Sequence, residues 1–267
     1  MLSRLRADAR EIISEQKEYR ELLYSITWRD LLLRYKQSVM GFGWAIFMPV
    51  TNMIIFTVIF TRVATLETDV PYPVFAYAGL LPWNFFSSSL KFSATSLVGN
   101  TELVTKVYFP REMFPFSAVL VSLVDFAVAS TVLAALMIFY GVGITWAALF
   151  VPIVLLVLIM FTAGMSLLLA MANLFYRDVK YLFEIVLTVW MFATSVVYPI
   201  DRVGGTLGAV LRLNPMTPII EGFRSVLLYG RLPPAGPFVY SAVVSVLLLV
   251  FGWLAFHRAE FRFAENI

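Results

Sequence analysis

Cysteine is missing from all 267 residues, and histidine occurs once, at His257. Without thiols there is no disulfide, no thiolate nucleophile and no Cys-ligated zinc or iron–sulfur centre. A single imidazole also argues against a His-based metal site, and no metal ligands are expected. It leaves His257 as the one candidate for a Ser/His/Asp relay, and its place beside the charged tail reads instead as interfacial solvation. No glycine is followed by lysine, so the chain has no phosphate-cradling Gly-Lys loop and does not hydrolyse ATP alone. Neither a Gly-x-Ser-x-Gly elbow nor a His-Glu-x-x-His pair is present. Charge is scarce as well: 14% of residues are charged and 60% are hydrophobic, against roughly 25% and 45–50% in soluble domains. A water-soluble fold is disfavoured on that ground.

What is present is a series of long apolar runs: Phe42–Val63, Val74–Val98, Met113–Tyr140, Trp146–Leu174, Tyr181–Val197 and Phe238–Phe256. About 20 residues at 1.5 Å each cross about 30 Å of hydrocarbon, so each run is read as a membrane span. Helix is the only sensible conformation, because an open strand would leave peptide groups unpaired in lipid and these runs lack the alternation of barrel strands. The expected fold is all-α, with six transmembrane helices in one domain. Its parts are an interfacial segment (1–41), spans one to five (42–197), an outer segment (198–237), span six (238–256) and a tail (257–267). With both termini cytoplasmic, fifteen of the twenty Lys and Arg residues fall inside, which the positive-inside rule favours. The net charge of +3 is thereby explained by topology, and no nucleic-acid partner is expected. Met1 to Arg29 lacks the short apolar core of a secretory signal.

Several local features stand out. Tyr19, Leu22, Leu23 and Ile26 form one helical stripe, with Glu18, Arg20, Glu21, Ser25 and Arg29 facing elsewhere. That segment, followed by Trp28, Arg34, Tyr35 and Lys36, reads as a helix in the cytoplasmic interface, or else as one packed on a partner. Between Val197 and Phe238 the chain is rich in Pro and Gly around two short apolar pieces, Leu207–Leu213 and Ile219–Leu228. Neither can span a bilayer. They are expected to be re-entrant helices dipping in from the outer face, the alternative being an ordinary loop. Asp125 is the deepest charge in any span, and either faces a polar path or accepts hydrogen bonds from Ser, Thr or Asn on neighbouring helices. Lys91 and Glu184 lie near enough to span ends to snorkel. Glu67 and Asp69, in the first outer loop, read as hydrated loop carboxylates.

The block Trp28-Arg29-Asp30, Arg34-Tyr35-Lys36, Ser38, Gly41, Trp44 and Pro49 resembles the start of the ABC-2 type permeases that export bacterial surface polysaccharides. Gly79 to Phe86 (GLLPWNFF), Val104 to Glu112 (VTKVYFPRE), and Leu213-Asn214-Pro215 with Glu221 and Arg224 follow in the family's order. The resemblance implies a multi-pass homodimer in the bacterial cytoplasmic membrane. It implies two copies of a cytoplasmic ATPase subunit that hold ATP and Mg, no cofactor in this chain, and a lipid-linked O-antigen or capsular glycan as cargo. It further implies that Asn100, Thr101, Glu102, Lys106, Tyr108 and Arg111 belong to an ATPase-coupling segment. Asn214, Pro215, Glu221 and Arg224 fall in its gate segment.

A hydrophilic polymer needs a path whose walls touch sugars without holding one ring tightly, and aromatic faces meet that need. Trp44, Phe47, Trp83, Phe85, Phe86, Trp190, Phe192 and Tyr198, with Asp125, are the candidate lining residues, and membrane lipids compete for the same rings. Six helices enclose little space, so a glycan-wide path is expected between two copies. A teichoic-acid or other exporter remains an alternative, as do a scaffold and an intramembrane glycan transferase, although the last needs converging carboxylates or histidines that the sequence does not display.

Overall fold

The computed structural model describes residues 19–36, 38–63, 68–106 and 109–263. Glu18, Glu67 and Tyr108 lie outside the described residues, as do the Lys106 side chain and the end of the tail. Among the described residues the chain is helical throughout, with no strand. Helix α1 spans Arg20–Tyr35; α2, Gly43–Val58, continues through a widened turn to Val63. Then come α3 (Tyr72–Ser96), α4 (Thr101–Lys106), α5 (Met113–Phe139), α6 (Val151–Phe175) and α7 (Val179–Phe192). Two short helices, α8 (Gly205–Arg212) and α9 (Met216–Leu227), precede α10 (Ala235–Ala259).

Four helical stretches are long and apolar enough to cross a membrane: Gly43–Val63, Met113–Phe139, Trp146–Phe175 and Ala235–Arg262. They correspond to the first, third, fourth and sixth expected spans. The second expected span is α3, whose 25 residues reach about 38 Å. Asn84, Ser87 to Ser89 and Lys91 make it less apolar, and it compensates by position. It packs against α2, α5, α6, α7 and α9, and most of its residues are buried. Ser89 is buried by protein, Asn84, Ser87 and Ser88 are partly covered, and Lys91 is exposed near the helix end.

The fifth expected span needs correction. Tyr181–Val197 reads as one continuous run, but α7 ends at Phe192 and the chain turns through Ala193–Val197. Fourteen helical residues cover about 21 Å, short of the hydrocarbon thickness. Residues 194–197 are nonetheless fully buried.

The stripe on α1 is found as expected. Ile26 is buried with Leu97, Val104, Met113 and Phe256, and Tyr19, Leu22 and Leu23 pack beside it. This second apolar cluster sits at the end of the bundle that holds the 97–112 connection and the end of α10. Burying such side chains contributes about 1.5–3 kcal/mol each, so α1 is held by its own chain. His257 is also corrected: it is buried rather than solvated, and its Nδ1 lies 3.9 Å from Glu260 Oε2.

Candidate functional site

The last turn of α1 delivers two side chains to Asp125 on α5. Arg34 forms an ion pair with the carboxylate, and the Tyr35 hydroxyl donates to its other oxygen. The donors are thus Arg34 and Tyr35 rather than the Ser, Thr or Asn side chains that were one of the two expectations, and Asp125 also lines a cavity with polar groups. Arg34 also lies over the Phe92 ring, 3.6 Å from its centroid, and Tyr35 stacks on Phe42 at 4.2 Å. Burial first, and then the Asp125 carboxylate, push the Tyr35 phenol up to about 12, so it stays protonated and donates at neutral pH.

This cluster walls a cavity of about 490 Å³ between α2, α3 and α5. Trp44, Asn52, Asn84, Phe85, Lys91 and Ser122 also line it. Asn84 Nδ2 is buried there without a hydrogen-bond partner among the described residues. A buried amide donor left unpaired costs about 1–3 kcal/mol. The cavity combines aromatic faces with amide, hydroxyl and charged groups inside an apolar bundle.

Removing the Asp125 charge should loosen α1. Asp125→Ala leaves a mostly buried guanidinium without its anion and is expected to cost about 3 kcal/mol. Hydrogen–deuterium exchange across residues 20–35 should accelerate in that variant. The double variant Arg34→Met with Asp125→Leu should lose less than the sum of its parts. Unchanged exchange in Asp125→Ala would mean that the pair does not hold α1.

Of the sequence-selected path residues, Trp44, Phe85 and Asp125 meet at this cavity. Trp83 and Phe86 are buried in the main core, where Phe86 packs on Phe161 and Trp190 at 5.6 and 5.2 Å. Phe47 and Phe192 lie on outward faces of α2 and α7, and Tyr198 is half-buried, its hydroxyl donating to Phe192 O at 2.7 Å. Arg34, Tyr35 and Asn84 were legible as motif members but not as cavity residues. An amide within an apolar run was the available signal for Asn84.

A second constellation surrounds the broken helix after α7. Ending a helix early frees carbonyl groups that water cannot reach here, and each needs a donor. Asn214 Nδ2 donates to Ala193 O at 2.9 Å, and its Oδ1 accepts from Trp190 Nε1 and from Met216 N, both at 3.1 Å. Tyr72 donates its hydroxyl to Val197 O at 2.7 Å. Arg224, fully buried on α9, donates to Ser195 O, to Val196 O and, through Nε, to Phe75 O of α3 at 3.2 Å. Glu221 supplies its counter-charge at 3.0 Å, and the Phe75 ring lies 3.7 Å beneath the guanidinium carbon. Ser241 of α10 donates to Pro215 O at 2.9 Å. All four sequence-selected gate residues therefore meet around one break.

At the opposite end, Asn100 accepts from Arg29 at 2.9 Å, and Arg29 pairs with Asp30 at 2.7 Å. Asp30 accepts in turn from Ser117 at 2.8 Å, so α1, the 97–100 turn and α5 form one unit. Thr101 and Glu102 are exposed, whereas Val104 anchors α4 in the second cluster. Arg111 donates through its main-chain N–H to Glu260 Oε1 at 2.8 Å and through its guanidinium to Glu260 O. Of the coupling candidates, Asn100 is thus tied to α1 and Arg111 to the end of α10.

Residues 21–228 match the model of the ABC-2 type transporter family. The chain is 34% identical over 259 residues to the O-antigen export system permease protein RfbA of Myxococcus xanthus, covering 96% of this chain and 99% of that one. It is 28% identical over 251 residues to the Klebsiella pneumoniae protein of the same name, covering 92% and 94%. The polysialic acid transport protein KpsM of Escherichia coli is 24% identical over 236 residues, covering 87% and 90%.

Proposed function

The chain belongs to the ABC-2 type transporter family, and from that premise we propose that it is the membrane-spanning permease of an ATP-driven exporter of lipid-linked surface polysaccharide. The observation that carries this reading is the end-to-end similarity to O-antigen permeases. The polar, aromatic cavity beside Asp125 and the side-chain-capped break beside Arg224 give that similarity a physical content. One is a place where a hydroxylated ligand fits; the other is a place where a helix is already interrupted.

In this reading α3 and the α7 segment complete six crossings, both termini are cytoplasmic, and α8 and α9 dip into the outer leaflet as gate helices. Two copies assemble with two ATPase subunits that hold ATP and Mg. Tyr181, Leu182, Ile185 and Val189 of α7 and Phe47, Ile54 and Val58 of α2 are exposed apolar side chains. They face lipid or a second copy, and a path between copies brings Trp44, Phe47 and Phe192 to its wall. ATPase closure is transmitted through the exposed face of α4 and its ties to α1 and Glu260, moving the helices as rigid bodies.

Loss of the gene is expected to remove the surface polysaccharide and trap its lipid-linked precursor inside the cell. Normal surface glycan in the deletion strain would end this reading. Because the chain has no cysteine, single introduced cysteines report topology without background. Labelling at position 106 should match labelling at the amino terminus. Charge reversal by Glu102→Lys with Lys106→Glu should lower ATPase co-purification several-fold while leaving membrane insertion intact. If the ATPase still co-purifies fully, the coupling assignment fails.

A further inference from the structure

Asn173 lies in the last turn of α6 and is 2% exposed. Its Nδ2 donates to Ala94 O of α3 at 2.7 Å, and its Oδ1 accepts from the main-chain N–H of Lys180, in the first turn of α7, at 3.1 Å. The last four carbonyl groups of a helix and the first four N–H groups have no partner within that helix. Ala94 and Lys180 fall at such positions, so one buried amide closes α3 and opens α7. A flipped amide would set donor against donor and oxygen against oxygen, which leaves it a single orientation.

The far end of α7 is gripped in the same manner. Trp190 Nε1 donates to Asn214 Oδ1 at 3.1 Å, and Asn214 Nδ2 donates to Ala193 O at 2.9 Å. Between these two amides α7 packs against α3 and α6, and Leu187 is the one buried residue among its fourteen. Tyr181, Ile185 and Val189 on its other side are exposed. A short helix packed on one side follows whatever grips its ends.

The Ala94 end of α3 leads straight into the 97–100 turn. Asn100 Nδ2 donates to Ser96 O at 2.8 Å, so that turn is bonded back onto the last turn of α3.

We propose that Asn173 is a positioning residue that makes α7 follow the end of α3, so that movement at the coupling turn reaches the break beside Asn214. The inference rests on the exporter reading and adds a route that passes through neither α1 nor Glu260. While the bond to Ala94 O holds, a shift of the α3 end carries the start of α7 with it. Without that bond α3 slides past α7, and the break stays where it is.

Hydrogen–deuterium exchange on the full-length chain with its co-purified ATPase in nanodiscs, with and without ATP, reads both ends of the route. In the wild-type complex ATP should alter exchange at residues 97–100 and raise it at 193–197. Asn173→Ala removes both bonds. Asn173→Asp keeps an acceptor for the Lys180 N–H, at a helix N-terminus where negative charge is favourable, and loses the donor to Ala94 O. Both variants should hydrolyse ATP and keep the response at 97–100 while losing export and the response at 193–197. A residue that only supports the fold would instead weaken both responses together with the melting temperature, and that pattern would overturn the proposal. So would a 193–197 response that persists in either variant, or its absence from the wild-type complex. Should Asn173→Ala fail to fold, Asn173→Asp decides alone. Surface glycan that survives gene deletion would refute the exporter reading itself, a result that does not depend on the exchange pattern.

Discussion

Arg224→Met should yield a chain that inserts but neither melts cooperatively nor exports. Methionine preserves most of the side-chain length and none of the donors. Ser195 O, Val196 O and Phe75 O would lose their guanidinium contacts together, in a region closed to water. Phe75 O keeps its own bond within α3, so two buried turn carbonyls are left unpaired, at about 1–3 kcal/mol each. Glu221 would also lose its cation. Trypsin cleavage at Arg202 and Arg212 in purified protein should quicken as the 193–212 region loosens. Arg224→Lys should recover little, because an ammonium group is a point charge and cannot fork to carbonyls on two elements. Gly79→Ala should mimic the defect from the other side, since a methyl group there would collide with the Arg224 guanidinium and with Val196 O. A melt of Arg224→Met that matches wild type would show that the guanidinium is not what caps the break.

The second large effect is expected where α6 crosses α10. A Cβ on Gly252 would lie 2.7 Å from Gly164 O, and one on Gly164 would lie 2.8 Å from the main chain at Leu248. Both obstacles are backbone and cannot rotate away, so the helices themselves must separate. Small residues that let helix backbones touch are a usual means of association where lipid removes the hydrophobic drive. Gly252→Val is expected to cost at least about 1–3 kcal/mol, the usual range for overpacking. Gly164→Val should cost a similar amount. The double variant should cost less than the sum, because one separation relieves both clashes. Trp253 and Glu260 lie just beyond the crossing and hold Glu112 and Arg111. ATPase coupling should therefore weaken along with thermal stability, and a variant that melts lower yet couples normally would contradict that link.

The all-helical class and four membrane-length helices could be read directly, because stretches such as Met113–Phe139 and Trp146–Phe175 are long and predominantly apolar. Helix α3 was also visible as a run, although its central position was not. The end of α7 could not be read. Ala193 to Val197 contains no proline or glycine, and Pro199 restricts only Tyr198 directly. What favours the break is a set of donors from Tyr72, Asn214 and Arg224, distant in the chain. Local propensity carries no trace of such partners. Asp125 shows the same limit: its depth was evident, but Arg34 and Tyr35 stand 91 and 90 positions away. Asn214 and Arg224 were selected through family resemblance, and the geometry gives them a role that spacing alone did not.

One rigid plane of atoms on Arg224 holds α3, the turn after α7 and its own helix α9. A planar fork cannot release one acceptor by bending while keeping the rest in line. Any displacement of α9 large enough to widen an opening must forfeit these contacts nearly at once. The contacts that hold the turn after α7 therefore let go at a threshold rather than along a graded hinge.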